Sequence, residues 1–324
     1  MGRQTQLVGF LSPLRGSDIL KHPNPRLTPW ANAVGHNRTL ALKRARGKAE
    51  YHLLLDADMT LSASGDFRAL LTEDAHLVRY TGPMDYWVER LVSDRHEWEY
   101  VGAAHEYIRS QTAERRAKLP GVTVTHHGDE SRQRGKIERY LALLKQGLHA
   151  EPDNSRQVFY IAESYRDLGN LPQALEWYEK RASMGGWDEE VWYALYQAAR
   201  LQHRLGLAWP LVLEAYLRAY EFRPARLEPI YHIARFYREN GRYSSAYLFA
   251  GKAIGLPYPE DVLFIEKSIY DYELSMELAL CSYQLGRFED SIRMSDAILG
   301  CPSAPEAVRE TARQHRELSA AALA

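Results

Sequence analysis

The chain changes its hydrophobic rhythm near residue 130. Before that point short apolar runs alternate with turn signals: YHLLLDAD (51–58), HLVRYTG (76–82), YWVERLVS (86–93), WEYVGAAHEYI (98–108) and GVTVTHH (121–127). Their length and their content of Val, Tyr, Trp and Thr predict strands. A helix is predicted ahead of them, with apolar Leu40, Ala41 and Ala45 and with Lys43, Arg44 and Arg46 on its other faces. QLVGFL (6–11) reads as one further short strand, after which Pro13, Pro23, Pro25 and Pro29 break up the pattern. Helix, buried strand and further strands make an α/β arrangement.

After residue 130 the strand signals stop. Helical segments follow one another, separated by short punctuation such as LGN, MGGW, ENGR and LGR. Small and aromatic positions recur within them. Ala162, Tyr165, Gly169, Ala174 and Tyr178 form one set, and Ala234, Tyr237, Gly241, Ala246 and Ala250 form a second, 72 residues on. That interval is two repeats of roughly 34–38 residues. Between them EAYLRAYEFRP places Tyr216, Ala219 and Pro224 where the second helix of an intervening unit should end. A fourth unit, LALCSYQLGRFEDSIRMSDAIL, reads as having a turn one residue shorter. The pattern resembles the tetratricopeptide repeat, in which small residues let paired helices approach and each unit buries its face against its neighbours. The expected fold is therefore α/β followed by all-α, with an α/β domain over 1–135 and a helical superhelix over 136–324.

Composition narrows the function classes. Forty-one basic residues balance 42 acidic ones, so no global footprint for nucleic acid or an anionic membrane is expected. Cys281 and Cys301 stand in no metal-ligand or CxxC spacing and read as reduced thiols of a cytoplasmic protein. No run of about 18 apolar residues predicts a membrane span. The N-terminus lacks both the apolar core of a secretory signal and, with Gln6 at the deciding place, a myristoylation pattern.

The candidate chemistry lies in YHLLLDADMTL, an apolar strand that ends in Asp56 and Asp58. Two carboxylates at a strand end suit a metal–diphosphate site, a phosphotransfer pair or an ordinary strand exit. WANAVGHNRTLALKRARGKAEYHLLLDADMTL, DYWVERLVSDRHEWEYVGAAHEYI and VTHHGDESRQRGKIERYLALLKQGLHAEPDN together resemble family 2 glycosyltransferases of the GT-A fold that carry C-terminal tetratricopeptide repeats. The resemblance spans roughly residues 30 to 255 and implies transfer of a sugar from a nucleoside-diphosphate sugar to an unidentified acceptor, with inversion. It implies Asp56 near the ribose and a metal-bound water, and Asp58 on Mn²⁺ or Mg²⁺, with His126 or His127 as a further metal ligand. By the same resemblance His105 and Glu106 face sugar and acceptor, with Glu106 as general base, and Asn37, Arg38 and Arg90 serve the donor pocket.

Plainer readings stand beside these roles. His126 and His127 could be solvated at a strand end, His105–Glu106 a surface ion pair, Arg90 a solvent-facing charge, and Trp87, Trp98 and Tyr100 packing residues. LLLDADMTL, including Thr60, also satisfies the first motif of haloacid-dehalogenase phosphatases, but Gly128 and Asp129 are followed by Gln133 where that pattern wants an acid. The segment before Asp56 is shorter than a GT-A domain brings, so the nucleoside-binding half of the sheet reads as absent or replaced. The alternative function is an impaired remnant that binds proteins, or itself, through the helical repeats.

Overall fold

The computed structural model describes residues 7–12, 33–56, 58–81, 84–102, 104–127 and 133–324. Two compact units divide the chain, residues 1–170 and 171–324.

The first unit is built on a six-stranded mixed sheet in the order β1-β2-β5-β4-β8-β3. Its strands are β1 (Leu7–Ser12), β2 (Tyr51–Asp56), β3 (Met59–Ala63), β4 (Ala75–Tyr80), β5 (Tyr86–Ser93) and β8 (Arg116–His126). β1 runs parallel to β2, and α1 (Ala33–Ala45) lies between them in sequence. β6 (Glu99–Val101) and β7 (Tyr107–Arg109) form a separate antiparallel ribbon. Alternation along β2 decides which face each side chain serves. Tyr51 and Leu53 join Val78, Tyr80, Leu91 and Val124 on one face, and Leu54 joins Ala75, Val92, Trp98 and Leu42 on the other. Two helices, α2 (Gln133–Ala150) and α3 (Ser155–Asp167), complete the unit and pack against each other.

Three local expectations are revised. The stretch 98–108 is two strands, not one, because Gly102 (φ 117°) and His105 (φ 54°) turn the chain back. β3 follows directly on the strand-end aspartates, where the sequence pattern had stopped; it pairs with β8 from Met59↔His126 to Ala63↔Val122, a long-range partnership. The buried face of α1 carries Leu42 and Ala45, while Leu40 and Ala41 are half-buried. Trp98 and Tyr100 are packing residues, Trp98 donating its indole N–H to the carbonyl of Ser93 at 2.8 Å.

The second unit is built of the helices α4 (Leu171–Ser183), α5 (Asp188–Arg204), α6 (Trp209–Phe222), α7 (Glu228–Glu239), α8 (Tyr243–Ala253), α9 (Leu274–Gln284), α10 (Phe288–Leu299) and α11 (Glu306–Leu323). Each packs on the next in chain order, and α7 and α11 both reach α9. The repeat register is visible in burial. Ala162, Ala199, Ala234 and Ala279 each lie seven residues before a turn glycine and are fully buried. The glycines Gly169, Gly206, Gly241 and Gly286 have φ of 79°, 73°, 69° and 68°, the left-handed helix stop that a side chain would strain. The turn of the fourth unit (285–287) is three residues long, like 168–170 and 240–242, so it is not shortened; 205–208 is the longer one.

Candidate functional site

β2 carries its apolar run into the core and delivers Asp56 half-exposed at the sheet's end. α1 brings Arg38 across to donate to Asp56 Oδ1, with its second nitrogen 3.6 Å from Glu106 Oε2 and the guanidinium 5.4 Å from the centre of the Tyr100 ring. Burial opposes the charge on Arg38, but Asp56, Tyr100 and Glu106 outweigh it and hold its pKa up. Glu106 is pushed above the usual carboxylate range by burial, with Arg38 pulling the other way. It lies against Gly35, where a Cβ would come 3.3 Å from its Cγ. Arg90 reaches from β5 to the Leu54 carbonyl at 3.4 Å and sits 5.3 Å from the Tyr80 ring centre, so it is tied into the sheet rather than solvent-facing. Asn37 is half-buried beside Arg38 on α1.

Asp58 belongs to a different cluster. Its carboxylate is 3.1 Å from His126 Nε2 and its carbonyl accepts the His127 N–H at 2.7 Å, while Thr60 Oγ1 meets His127 Nε2 at 2.9 Å. Asp58 and His126 are each about half exposed, at 50% and 45%. The structure thus joins Asp56, Arg38 and Glu106 on one side and Asp58, His126, His127 and Thr60 on the other. Among the described residues no group of three His, Cys, Asp or Glu side chains is placed to hold a metal ion. Gly128 and Asp129 of the phosphatase alternative lie outside the described residues.

His105 does not form the surface ion pair with Glu106. Its ring stacks flat on Tyr160 at 4.0 Å, with Tyr140 edge-on at 5.5 Å. Stacking aims it at α2 and α3, while Glu106 turns to Arg38.

The second unit holds a polar cluster that the sequence pattern did not suggest. Fully buried Arg226 lies over the Trp192 ring at 3.7 Å and pairs with Glu228 at 2.7 Å and Asp261 at 3.1 Å. It also donates to the carbonyls of Leu263 and Phe264, at 3.1 and 2.7 Å. Glu189 accepts the Val262 and Leu263 N–H groups at 2.8 and 2.7 Å. Residues 255–268, inserted before α9, are thereby strapped onto α5 and α7 by side chains reaching their backbone. The turn glycines record this insertion: they are 37, 35 and then 45 residues apart. An over-long third interval was the one sequence signal for it.

No family model and no curated protein matches this chain. It is similar to a solved structure of MamA, at 16% identity and TM-score 0.38, over 60% of this chain and 93% of that one. A tetratricopeptide repeat protein from Parabacteroides merdae ATCC 43184 is similar at 18% identity and TM-score 0.43, over 59% and 71%. YrrB, described as a tetratricopeptide protein with an unusual peptide-binding site, is similar at 13% and 0.41, over 56% and 88%. The likeness to family 2 glycosyltransferases is corrected by these findings: the structures matched are tetratricopeptide proteins, and the six-stranded sheet is not confirmed as GT-A-like. The Asp-x-Asp metal site and the nucleotide-sugar donor gain no support from these findings. Asp56 is engaged by the Arg38 guanidinium and Asp58 by the His126 imidazole, so the two carboxylates face different partners.

Proposed function

We propose that this chain is a protein-binding module whose helical repeats hold a partner protein. The observation that carries the reading is the recurrence of a fully buried alanine seven residues before a left-handed glycine in three successive helix pairs of the second unit, α5–α6, α7–α8 and α9–α10. Each pair buries its face against neighbours, which leaves an extended lateral surface for partners. Apolar exposure at the α5–α6 turn supports it. Leu205, Leu207 and Leu211 are 37%, 38% and 60% exposed within seven residues, a concentration beyond the scattered single leucines of ordinary surfaces. Residues 262–266 already lie against Glu189, Tyr193 and Tyr196 of α5 and Glu228 of α7, so the α5–α6 turn is the better contact. No helix of the described residues is long and apolar enough to cross a membrane.

The test places a photo-crosslinking residue at position 207 in the full chain, identifies the captured protein and reconstitutes the complex from purified components. Leu207→Asp and Leu211→Asp are expected to weaken that complex at least tenfold, about 1.4 kcal/mol. A reconstituted complex indifferent to both substitutions, or purified components that do not bind, would overturn the reading.

A further inference from the structure

A cleft of about 790 Å³ opens in the first unit between α1, the β6–β7 ribbon, α2 and α3. It takes in none of the strand-end aspartates, and its size suits a ligand of several residues. Gln157, on the first turn of α3, lines it at 9% exposure. Its backbone N–H is satisfied by the Asn154 side chain at 3.1 Å, but its buried carboxamide Oε1 has no hydrogen-bond partner among the described residues. An orphaned buried acceptor is destabilising, and its retention calls for a role. α2 makes room for this group. At Gly147 a Cβ would stand 2.6 Å from Oε1 and 3.0 Å from Nε2 of Gln157.

The surrounding chemistry indicates what fits. A carboxamide presents an acceptor and a donor side by side in one plane, and its natural complement is another amide, such as a peptide group. The walls are flat: His105 stacked on Tyr160, and the Arg156 guanidinium 4.8 Å from the Tyr107 ring centre and 5.0 Å from that of Tyr160. Exposed Lys43 stands at the rim, with no ion pair among the described residues. The rim acids are engaged, Glu99 with Arg109 at 2.7 Å and Glu151 with Asn154 at 2.6 Å. We infer that this cleft binds an extended peptide, with one peptide group lying in plane against the Gln157 carboxamide and a carboxylate of the peptide on Lys43. The site is independent of the helical-repeat reading, since every residue invoked lies in the first unit.

Phage-displayed random dodecapeptides panned on the full chain supply the probe. Enriched peptides, made synthetically, are then titrated by fluorescence polarisation. Binding is expected to weaken at least tenfold in Gln157→Met, which keeps the side chain's length but removes both hydrogen-bonding atoms. Gly147→Ala, which pushes the carboxamide aside in a helix that favours alanine, should show the same loss. Lys43→Ala should weaken acidic peptides selectively. Thermal melting of Gln157→Met is expected to match or exceed wild type; if that variant fails to fold, Gly147→Ala decides. Peptides that bind every variant equally overturn the cleft proposal while leaving the repeat surface standing. Failure of any peptide to enrich overturns it too, as does Gln157-dependent binding of neutral oligosaccharides on a glycan array without peptide binding.

Discussion

His232 shows how a single, largely buried ring couples this protein to pH. Its Nε2 meets the Tyr196 hydroxyl at 2.8 Å, and that hydroxyl donates onward to Glu266 at 2.7 Å, so the imidazole is the donor to Tyr196. The ring lies along Tyr216, 5.5 Å between centres. Burial, reinforced by Arg200 and Arg235, pushes its pKa down to about 3. The unfolded chain takes up a proton near pH 6.5 while the folded one resists, so the stabilisation is complete above 6.5 and is lost as pH falls toward 3. The slope is at most about 1.4 kcal/mol per pH unit, reduced by the ring's partial exposure. Urea unfolding at pH 7 and pH 5 should therefore show wild type losing about 1–2 kcal/mol more than His232→Gln. Equal losses would remove the ring from the account. None of this is legible in the sequence, where His232 is an unremarked polar position in a helix. Asp56, by contrast, stands out in the sequence, but its partner Arg38 lies 18 residues earlier and is chosen by how α1 lies on the sheet.

At the scale of elements, the repeat helices were legible because their determinants are local. A small residue, an aromatic and a left-handed glycine recur at fixed offsets, and the same offsets recur in burial. Ala234 is fully enclosed where α7 meets its neighbours. Ala234→Leu should therefore destabilise by about 1–3 kcal/mol through overpacking, whereas Leu248→Ala, at a side chain 59% exposed on α8, should stay within about 0.5 kcal/mol. Chemical denaturation of the two variants gives the comparison, and a neutral Ala234→Leu would mean the helices are less closely paired than described. The strands divide differently. β2, β4 and β5 carry enough apolar alternation to be read directly, whereas β3, a half-exposed edge strand, exists through its pairing with β8. The split of 98–108 into β6 and β7 depended on a non-glycine residue, His105, accepting a positive φ.

For the whole molecule, the question is how far the two compact units hold together as one folding unit. Arg226 supplies the probe. All its N–H groups are used inside the second unit, on Glu228, Asp261 and two backbone carbonyls. Arg226→Ala leaves Glu228 buried without its cation, while Asp261 keeps Arg223, a loss of about 3–5 kcal/mol. Hydrogen exchange should accelerate through residues 171–324, with the amides of β2, β4, β5 and β8 unchanged; acceleration in the sheet as well would show the units unfolding together. The sequence by itself determined the change of rhythm near residue 130, the strands of the apolar runs and the helical repeat, because period and turn chemistry act between near neighbours in the chain. Tertiary structure alone decided which charges meet. It parted Asp56 from Asp58, strapped residues 261–266 onto α5 and α7, and left the Gln157 carboxamide oxygen, beside Gly147, without a partner among the described residues. Those outcomes depend on groups that are distant in sequence and on which of them burial deprives of water, and neither is written in local periodicity.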